Sequence, residues 1–132
     1  MEGVTLGMNY GLRRLAILGV KARQIRATGG GAKSKLWRQI MADVFNAEVV
    51  TLAVGEGAAY GAALQAMWCR RRKCGENISI SDLSDRFVKL DARKTARPKT
   101  RNVAIYREIQ AIQGDLSASL RGGFSSRSKL FS

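Results

Sequence analysis

Residues 24–45, QIRATGGGAKSKLWRQIMADVF, carry the strongest fold signal in the chain. The first five residues are typical of a short strand with Ile25 and Ala27 on one face. The triglycine that follows breaks the strand, and Ser34 is placed to cap a helix. This pattern predicts an α/β unit whose glycine turn lies at the carboxyl end of a strand, where open α/β sheets bind ligands.

Regular elements are predicted on both sides of this unit. Residues 2–19 are typical of a helix that Gly19 ends, and the β-branched residues 48–52 indicate a second strand. A third helix is expected over 56–69. Its face of small residues would let it approach a neighbour closely: Gly57, Ala58, Gly61 and Ala62. The order helix–strand–helix–strand–helix predicts an α/β fold, a parallel strand pair with flanking helices and a right-handed crossover.

Three helices show apolar positions at helical spacing, which predicts an apolar face on each helix. In the first helix they are Val4, Met8, Leu12 and Leu15. In the second they are Trp37, Ile40, Met41, Val44 and Phe45. In a last helix, near 102–120, they are Ile105, Ile109, Ile112, Leu116 and Leu120. Residues 122–132, beyond two glycines, are predicted to be a disordered tail.

The net charge of +13 is concentrated in the second half of the chain. Residues 1–69 carry 8 basic and 4 acidic groups, whereas residues 70–132 carry 15 and 6. Clustered Lys and Arg could neutralise a polyanion, but no aromatic residues are interleaved with them for base stacking. We favour a solvated basic polar linker over 70–101, do not expect nucleic acid as a partner, and keep polyanion binding as the alternative.

Composition excludes several kinds of site. The chain has no histidine, which excludes Ser/His/Asp and Cys/His nucleophiles. Its two cysteines cannot supply the roughly four ligands of a zinc site, so we interpret them as reduced thiols and predict no metal site. No apolar run reaches the ~18 residues of a membrane span and no signal peptide is evident, so a soluble cytoplasmic protein is expected.

The glycine turn, Ala27 to Ser34, is the segment with chemical content. Ala32 stands where a P-loop needs glycine before Lys33, and Ser34 stands where a dinucleotide fingerprint needs its third glycine. The turn can let a ligand lie against the main chain, with helix N–H groups beyond it favouring phosphate or polar atoms. By itself a triglycine is also a common structural turn.

Several motifs, in order along the chain, resemble the C-terminal domain of the FGGY carbohydrate kinases, and within that family the xylulokinases. They are IRATG before the turn, GGGAKSKLWRQIMADVF through the next helix, and EGAAYGAALQAMW after the second strand. The opening EGVTLGMNYGL and the segment NVAIYREIQAIQGDLSASL resemble the first and closing helices of that domain. The resemblance covers about residues 2–121. Tyr60 departs from it, because the family usually has a small aliphatic residue there.

The resemblance implies part of an actin-like ATPase (ribonuclease H-like) domain that binds ATP, with Mg2+ in the full-length enzyme. The residues implied to contact the adenosine end are Gly29, Gly30, Gly31, Ala32 and Ser34. The family's catalytic base is an aspartate of the N-terminal domain, which has no counterpart here, so no catalytic residue is predicted. Asp43 belongs to the ADVF helix signature and is interpreted as structural.

On this basis residues 1–69 are predicted as the core of the ATP-binding domain, 102–121 as its closing helix, and the chain as truncated. The implied full-length reaction is phosphoryl transfer from ATP to D-xylulose, with D-xylulose bound only when the N-terminal domain is present. The leading hypothesis is an ATP-binding fragment that is inactive alone. The alternatives are a small basic polyanion-binding module and a non-functional remnant.

Overall fold

The computed structural model describes residues 1–55 and 57–128, which form six helices and three strands. The helices are α1 (Glu2–Ile17), α2 (Gly30–Lys33), α3 (Lys35–Phe45), α4 (Gly57–Lys73), α5 (Ile80–Phe87) and α6 (Thr100–Ser128). The strands are β1 (Gln24–Ala27), β2 (Glu48–Leu52) and β3 (Leu90–Ala96). No helix among these residues is both long enough and apolar enough to cross a membrane.

The sheet has the order β1-β2-β3. Strands β1 and β2 are parallel, with Ile25 opposite Val49 and Ala27 opposite Thr51, which confirms the predicted parallel pair. Strand β3 runs antiparallel to β2, and the register shifts between Val49 and Thr51. The parallel pair places the end of β2 beside the glycine turn that follows β1.

Residues 70–101 are structured, whereas the sequence predicted a polar linker. They contain the end of α4, all of α5 and β3. Helix α5 begins with a capping box between Ser79 and Asp82. Strand β3 was missed because it lies at the sheet edge and carries mostly charged and small residues. Such residues discourage edge-to-edge pairing and hide the apolar alternation of a strand.

The core lies between α3 and the sheet. Met41 and Ala42 pack against Val49 and Ala96, with Ile25 and Ala27 partly buried beside them as predicted. On its other side α3 contacts α1 and α6, where Leu6, Ile40 and Val44 form a second apolar cluster with the partly buried Tyr106. The apolar face predicted for α3 is therefore confirmed, because its residues pack into both of these clusters.

The apolar stripes predicted for α1 and α6 lie largely exposed. Val4, Met8 and Leu15 of α1 are exposed, and α1 instead buries Thr5 and Leu6. In α6 the stripe from Ile105 to Leu120 is exposed, whereas Val103 and Gln110 are buried. The buried residues of each helix therefore lie on a face beside its apolar stripe. No element of the described chain covers the stripes themselves.

Two element ends also differ from expectation. Helix α1 ends at Ile17, two residues before Gly19. Helix α6 continues to Ser128, so residues 122–128 are helical where a disordered tail was predicted, while residues 129–132 lie outside the described part. The predicted start of the third helix at Glu56 also lies outside it.

Helix α4 packs against α5 through its large side chains. The Tyr60 hydroxyl donates to the Phe87 carbonyl at 3.0 Å, and the Trp68 indole N–H donates to the Ile78 carbonyl at 2.9 Å. Leu83 of α5 is fully buried. Tyr60, the departure from the family pattern, therefore anchors α5 to α4.

Candidate functional site

A cleft opens where the parallel strands β1 and β2 end, with a volume of about 90 Å³. Three parts of the chain line it: the glycine turn with Thr28, Gly29 and Ala32, residues 51–55 after and at the end of β2, and Lys94 of β3. The carboxyl ends of parallel strands are where open α/β folds bind ligands, so this cleft is the candidate site.

The glycine turn contains a short helix that the sequence did not predict. Gly29 has φ of 81°, a left-handed conformation that side chains rarely adopt. Gly30 to Lys33 then form the single turn α2, in which the Ala32 N–H donates to the Gly29 carbonyl at 3.2 Å. The longer helix α3 begins separately at Lys35. The backbone N–H groups of the turn are thus partly used within α2 itself.

Ser34 separates the two helices and caps α3, as predicted. Its hydroxyl accepts a hydrogen bond from the Trp37 N–H at 3.2 Å. The Trp37 ring is fixed in turn, because its indole N–H donates to the Thr5 hydroxyl at 2.9 Å. The capping bond and the indole bond together orient the start of α3 against the turn.

Gly31 lies directly against the Trp37 ring, and we expect its replacement by alanine to destabilise the turn. A Cβ atom there would lie 2.7 Å from Trp37 Cζ3, and the bond to Thr5 opposes movement of the ring. The expected loss in free energy of unfolding is about 1–3 kcal/mol, the usual cost of overpacking. Gly30→Ala is the matched control, because a Cβ at Gly30 has no atom within 4 Å. Equal urea midpoints for the two variants would contradict this account.

Arg38 stabilises the glycine turn, a role that the sequence did not indicate. Its side chain is buried, and Nη1 donates to the Ala32 carbonyl at 2.6 Å. A charge-assisted hydrogen bond of this kind is stronger than a neutral one. Arg38 therefore ties α2 to the first turns of α3 and fixes the position of the glycine turn.

Thr51 and Lys94 also line the cleft and were not predicted as site residues. Thr51 is 4% exposed, and its hydroxyl oxygen has no hydrogen-bond partner among the described residues. Lys94 is exposed, and its ammonium group lies 3.1 Å from a carboxylate oxygen of Asp91. The hydrogen bond from Lys94 holds the pKa of Asp91 below its usual range. Thr51 could have been found from its place at the end of a parallel strand.

The residues predicted to contact a nucleotide do not all face the same space. Gly29 and Ala32 line the cleft, and Ala32 with Gly31 also borders a neighbouring apolar cavity of about 280 Å³ beside Trp37 and Met41. Gly30 and Ser34 line neither space. The structure thus brings Gly29 and Ala32 together with Thr51 and Lys94, while Ser34 acts as a helix cap.

The first turn of α4 packs against Thr28, the residue that precedes the three glycines. A Cβ at Gly57 would lie 3.2 Å from Thr28 Cβ, so the small residue permits this approach. The rest of the predicted small-residue face is open: Ala58 and Ala62 are exposed, and a Cβ at Gly61 has no atom within 4 Å. Close backbone approach is therefore observed only where α4 meets Thr28.

Residues 1–69 match the FGGY family of carbohydrate kinases, C-terminal domain. The chain is 44% identical to a xylulose kinase of Haemophilus influenzae over 106 residues, 80% of this chain and 20% of that relative. Ligand-bound xylulose kinase from Lactobacillus acidophilus is similar in structure, with a TM-score of 0.65, 26% identity, and 79% and 20% of the two chains covered.

A second solved structure is similar over a larger part of the chain. Xylulose kinase from Rhodospirillum rubrum gives a TM-score of 0.72 over 94% of this chain and 24% of its own, at 24% identity. These neighbours have the actin-like ATPase fold that the resemblance to the FGGY family implied. The chain spans about a fifth of the length of the curated relatives that it matches.

Proposed function

The chain belongs to the FGGY family of carbohydrate kinases, as a C-terminal domain similar to that of xylulose kinases, and we propose that it binds the adenosine end of ATP at the glycine turn. The residues proposed to contact it are Gly29, Gly30, Gly31, Ala32 and Ser34. The observation that carries the proposal is the cleft at the ends of β1 and β2, bordered by this turn.

The physical basis is a turn that leaves backbone close to the ligand. Gly29 and Gly30 have no side chains to keep a flat base or a ribose away, and both are exposed. Arg38 and the Ser34 cap hold the turn in place, so little ordering is needed on binding. The cleft is smaller than the ~300–1,000 Å³ of a complete ligand pocket. We therefore expect weak binding, with only part of the nucleotide enclosed.

Photolabelling tests the location of this site. We expect 8-azido-ATP to label the tryptic peptide of residues 27–33, which lies between Arg26 and Lys33, and excess ATP to suppress the labelling. Excess inorganic phosphate at the same ionic strength is the control for simple charge effects. Labelling confined to other peptides, or labelling that ATP does not suppress, would contradict the proposal.

For the full-length enzyme we propose phosphoryl transfer from ATP with Mg2+ to D-xylulose, in the cytoplasm. Such a reaction needs the sugar hydroxyl and the γ-phosphate aligned with water excluded. The resemblance assigns the catalytic base to an aspartate with no counterpart in this chain. Asp43 cannot replace it, because it is 2% exposed and accepts three hydrogen bonds.

The 132-residue chain alone is therefore expected to have no D-xylulose kinase activity. A coupled assay of ADP release, with and without D-xylulose, measures this directly. A full-length xylulose kinase assayed in parallel is the positive control. Sugar-dependent ADP release that co-purifies with the chain would show that the prediction is wrong.

Polyanion binding is a second candidate function, because the side chains of Arg93 in β3 and of Arg97 just after it are exposed. Arg97 is paired with Glu48 at 3.2 Å, and Arg71 lies 3.5 Å from Glu76, which reduces the charge available to a ligand. Binding to a DNA or RNA oligonucleotide should fall steeply with salt if this candidate is correct. Binding that does not depend on salt, or no binding, would rule out polyanion binding as a function.

A further inference from the structure

A groove lies between helices α1 and α6, apart from the cleft at the glycine turn. Two adjoining cavities of about 300 and 260 Å³ form it, and both are lined by Tyr10, Gln110 and Gly114. Together, cavities of this size fit a small molecule. The groove shares no lining residue with the cleft at the ends of β1 and β2, so it is a separate candidate site.

Positive charge is concentrated along this groove. Arg121 lines the larger cavity, and Arg13 and Arg14 line the smaller one. In the part of the chain that the structure describes, none of these three arginines forms an ion pair and no carboxylate lines the groove. Guanidinium groups without a carboxylate partner attract anions, and their planar fork of donors fits two oxygens of a phosphate group.

Tyr10 is the common neighbour of Arg14 and Arg121. Arg14 Nη2 donates to the Tyr10 hydroxyl oxygen at 3.0 Å, and the Arg14 guanidinium carbon lies 5.3 Å from the centre of the Tyr10 ring. The hydrogen bond from Arg14, then the charge of Arg14 and to a smaller extent that of Arg121, hold the pKa of Tyr10 below its usual range. Both arginines therefore act on the same hydroxyl, whose own proton can be donated to a ligand.

Two glutamines add hydrogen-bond donors to the groove. Gln110 is buried, accepts from the Asn9 amide at 3.0 Å and donates to Gln113 Oε1 at 3.0 Å. This second bond turns the Gln113 oxygen toward Gln110 and leaves the Gln113 NH2 group to donate into the larger cavity, which Gln113 lines. Donors beside positive charge are the chemistry that recognises an oxyanion.

Glycines on both helices keep the groove open. Gly7 of α1 and Gly114 of α6 line the larger cavity, and a Cβ at either position has no atom within 4 Å. Glycine inside a helix costs stability relative to alanine, and packing within the described chain does not require it at these two positions. The missing side chains leave room for a ligand between the helices.

We propose that the groove between α1 and α6 binds a small sugar phosphate, whose phosphate group pairs with Arg14 and Arg121 beside the Tyr10 hydroxyl. Two arginines match the charge of about −2 that a phosphate monoester carries at pH 7. The Gln113 amide and the Ser117 hydroxyl, which also lines the larger cavity, then bind hydroxyl groups of the sugar. The inference does not depend on nucleotide binding at the glycine turn.

Calorimetric titration of the full chain at fixed ionic strength, with ribose 5-phosphate and with ribose, tests the site. We expect the wild type to bind ribose 5-phosphate and not ribose. Arg121→Met should weaken ribose 5-phosphate about tenfold, the effect of losing a charge-assisted hydrogen bond. Arg127→Met is the matched control, because it removes the same charge from the same helix at an exposed residue that lines neither cavity. Equal affinities for the two variants, or no binding by the wild type, would overturn the inference.

Filling the groove tests its location without removing charge. Gly114→Leu places a large side chain in the larger cavity, and leucine is a better helix former than glycine. We therefore expect at least a tenfold loss of ribose 5-phosphate affinity with no fall in Tm. Gly122→Leu is the control on the same helix, since Gly122 lines neither cavity and a Cβ there has no atom within 4 Å. Wild-type affinity in Gly114→Leu would show that the ligand binds elsewhere.

Inorganic phosphate separates recognition of the sugar from recognition of the phosphate group. We expect it to compete with ribose 5-phosphate and to bind more weakly, because it makes no contact with Gln113 or Ser117 through a sugar hydroxyl. Equal affinities for the two ligands would overturn the assignment of a sugar phosphate.

Discussion

Replacing Asp43 by alanine is expected to lower the free energy of unfolding by about 3–5 kcal/mol, because several donors lose a buried, charged acceptor at once. The carboxylate accepts from the Lys99 N–H at 2.8 Å, the Asn102 amide at 2.7 Å and the Gln39 amide at 3.0 Å. Lys99 and Asn102 flank the start of α6, so Asp43 joins α6 to α3. Net stability of a domain is only ~5–15 kcal/mol, and this loss would remove much of it.

Urea unfolding followed by circular dichroism measures the effect. Asp115→Ala is the control, because Asp115 is an exposed carboxylate within α6 and alanine is the best helix former. We expect that control to stay within about 0.5 kcal/mol of the wild type, as surface substitutions usually do. Comparable losses from Asp43→Ala and Asp115→Ala would mean that Asp43 does not join the two helices.

Produced alone, the chain is expected to be marginally stable and prone to aggregate. It exposes 9812 Å², whereas a compact monomer of 14.4 kDa exposes about 6,800 Å². Large apolar side chains are exposed on α1 and along α6 from Ile105 to Phe124. Each 100 Å² of apolar surface left in water forgoes about 2.5 kcal/mol of burial.

The free edge of β1 adds to this tendency. Strand β1 pairs only with β2 in the described sheet, so its other edge presents unpaired backbone groups that can recruit another chain. The relatives are about five times as long as the matched region, and we expect their N-terminal portion to cover the apolar stripes. Co-production with that portion of a family member should therefore increase the soluble yield and the Tm.

Light scattering during size-exclusion chromatography and thermal unfolding, with and without the co-produced portion, test this expectation. An unrelated soluble protein of similar size, co-produced from the same vector, controls for expression effects. A monomer that unfolds in one sharp transition, with no gain from the partner portion, would show that the chain is a self-sufficient domain.

The central part of the fold could be predicted from sequence because local signals agreed there. The strand residues Ile25 and Ala27, the Ser34 cap and the apolar face of α3 each specify the same arrangement. The resemblance to the FGGY family added the order of these elements. Local propensity and long-range packing coincide in such a unit, so the sequence is informative.

The remaining features depend on contacts that local patterns do not record. Strand β3 is charged because it lies at an edge, and its pairing with β2 is distant in sequence. The stripe of α6 has helical spacing whether or not anything covers it, so periodicity could not show that Ile109 is exposed. Lys94 enters the cleft only because β3 pairs beside β2, and the unpaired state of the Thr51 hydroxyl is visible only in three dimensions.

The most direct test of the nucleotide site is an amide NMR titration of the full chain with ADP. We predict that the responding amides are those of residues 28–35, in the glycine turn and at the start of α3, together with residues 51–55 and Lys94 around the cleft. The amides of Arg70 to Lys73, a basic cluster away from the cleft lining, serve as the internal control for non-specific anion binding. Shifts confined to that cluster, or none in the turn at saturating ADP, would contradict the account.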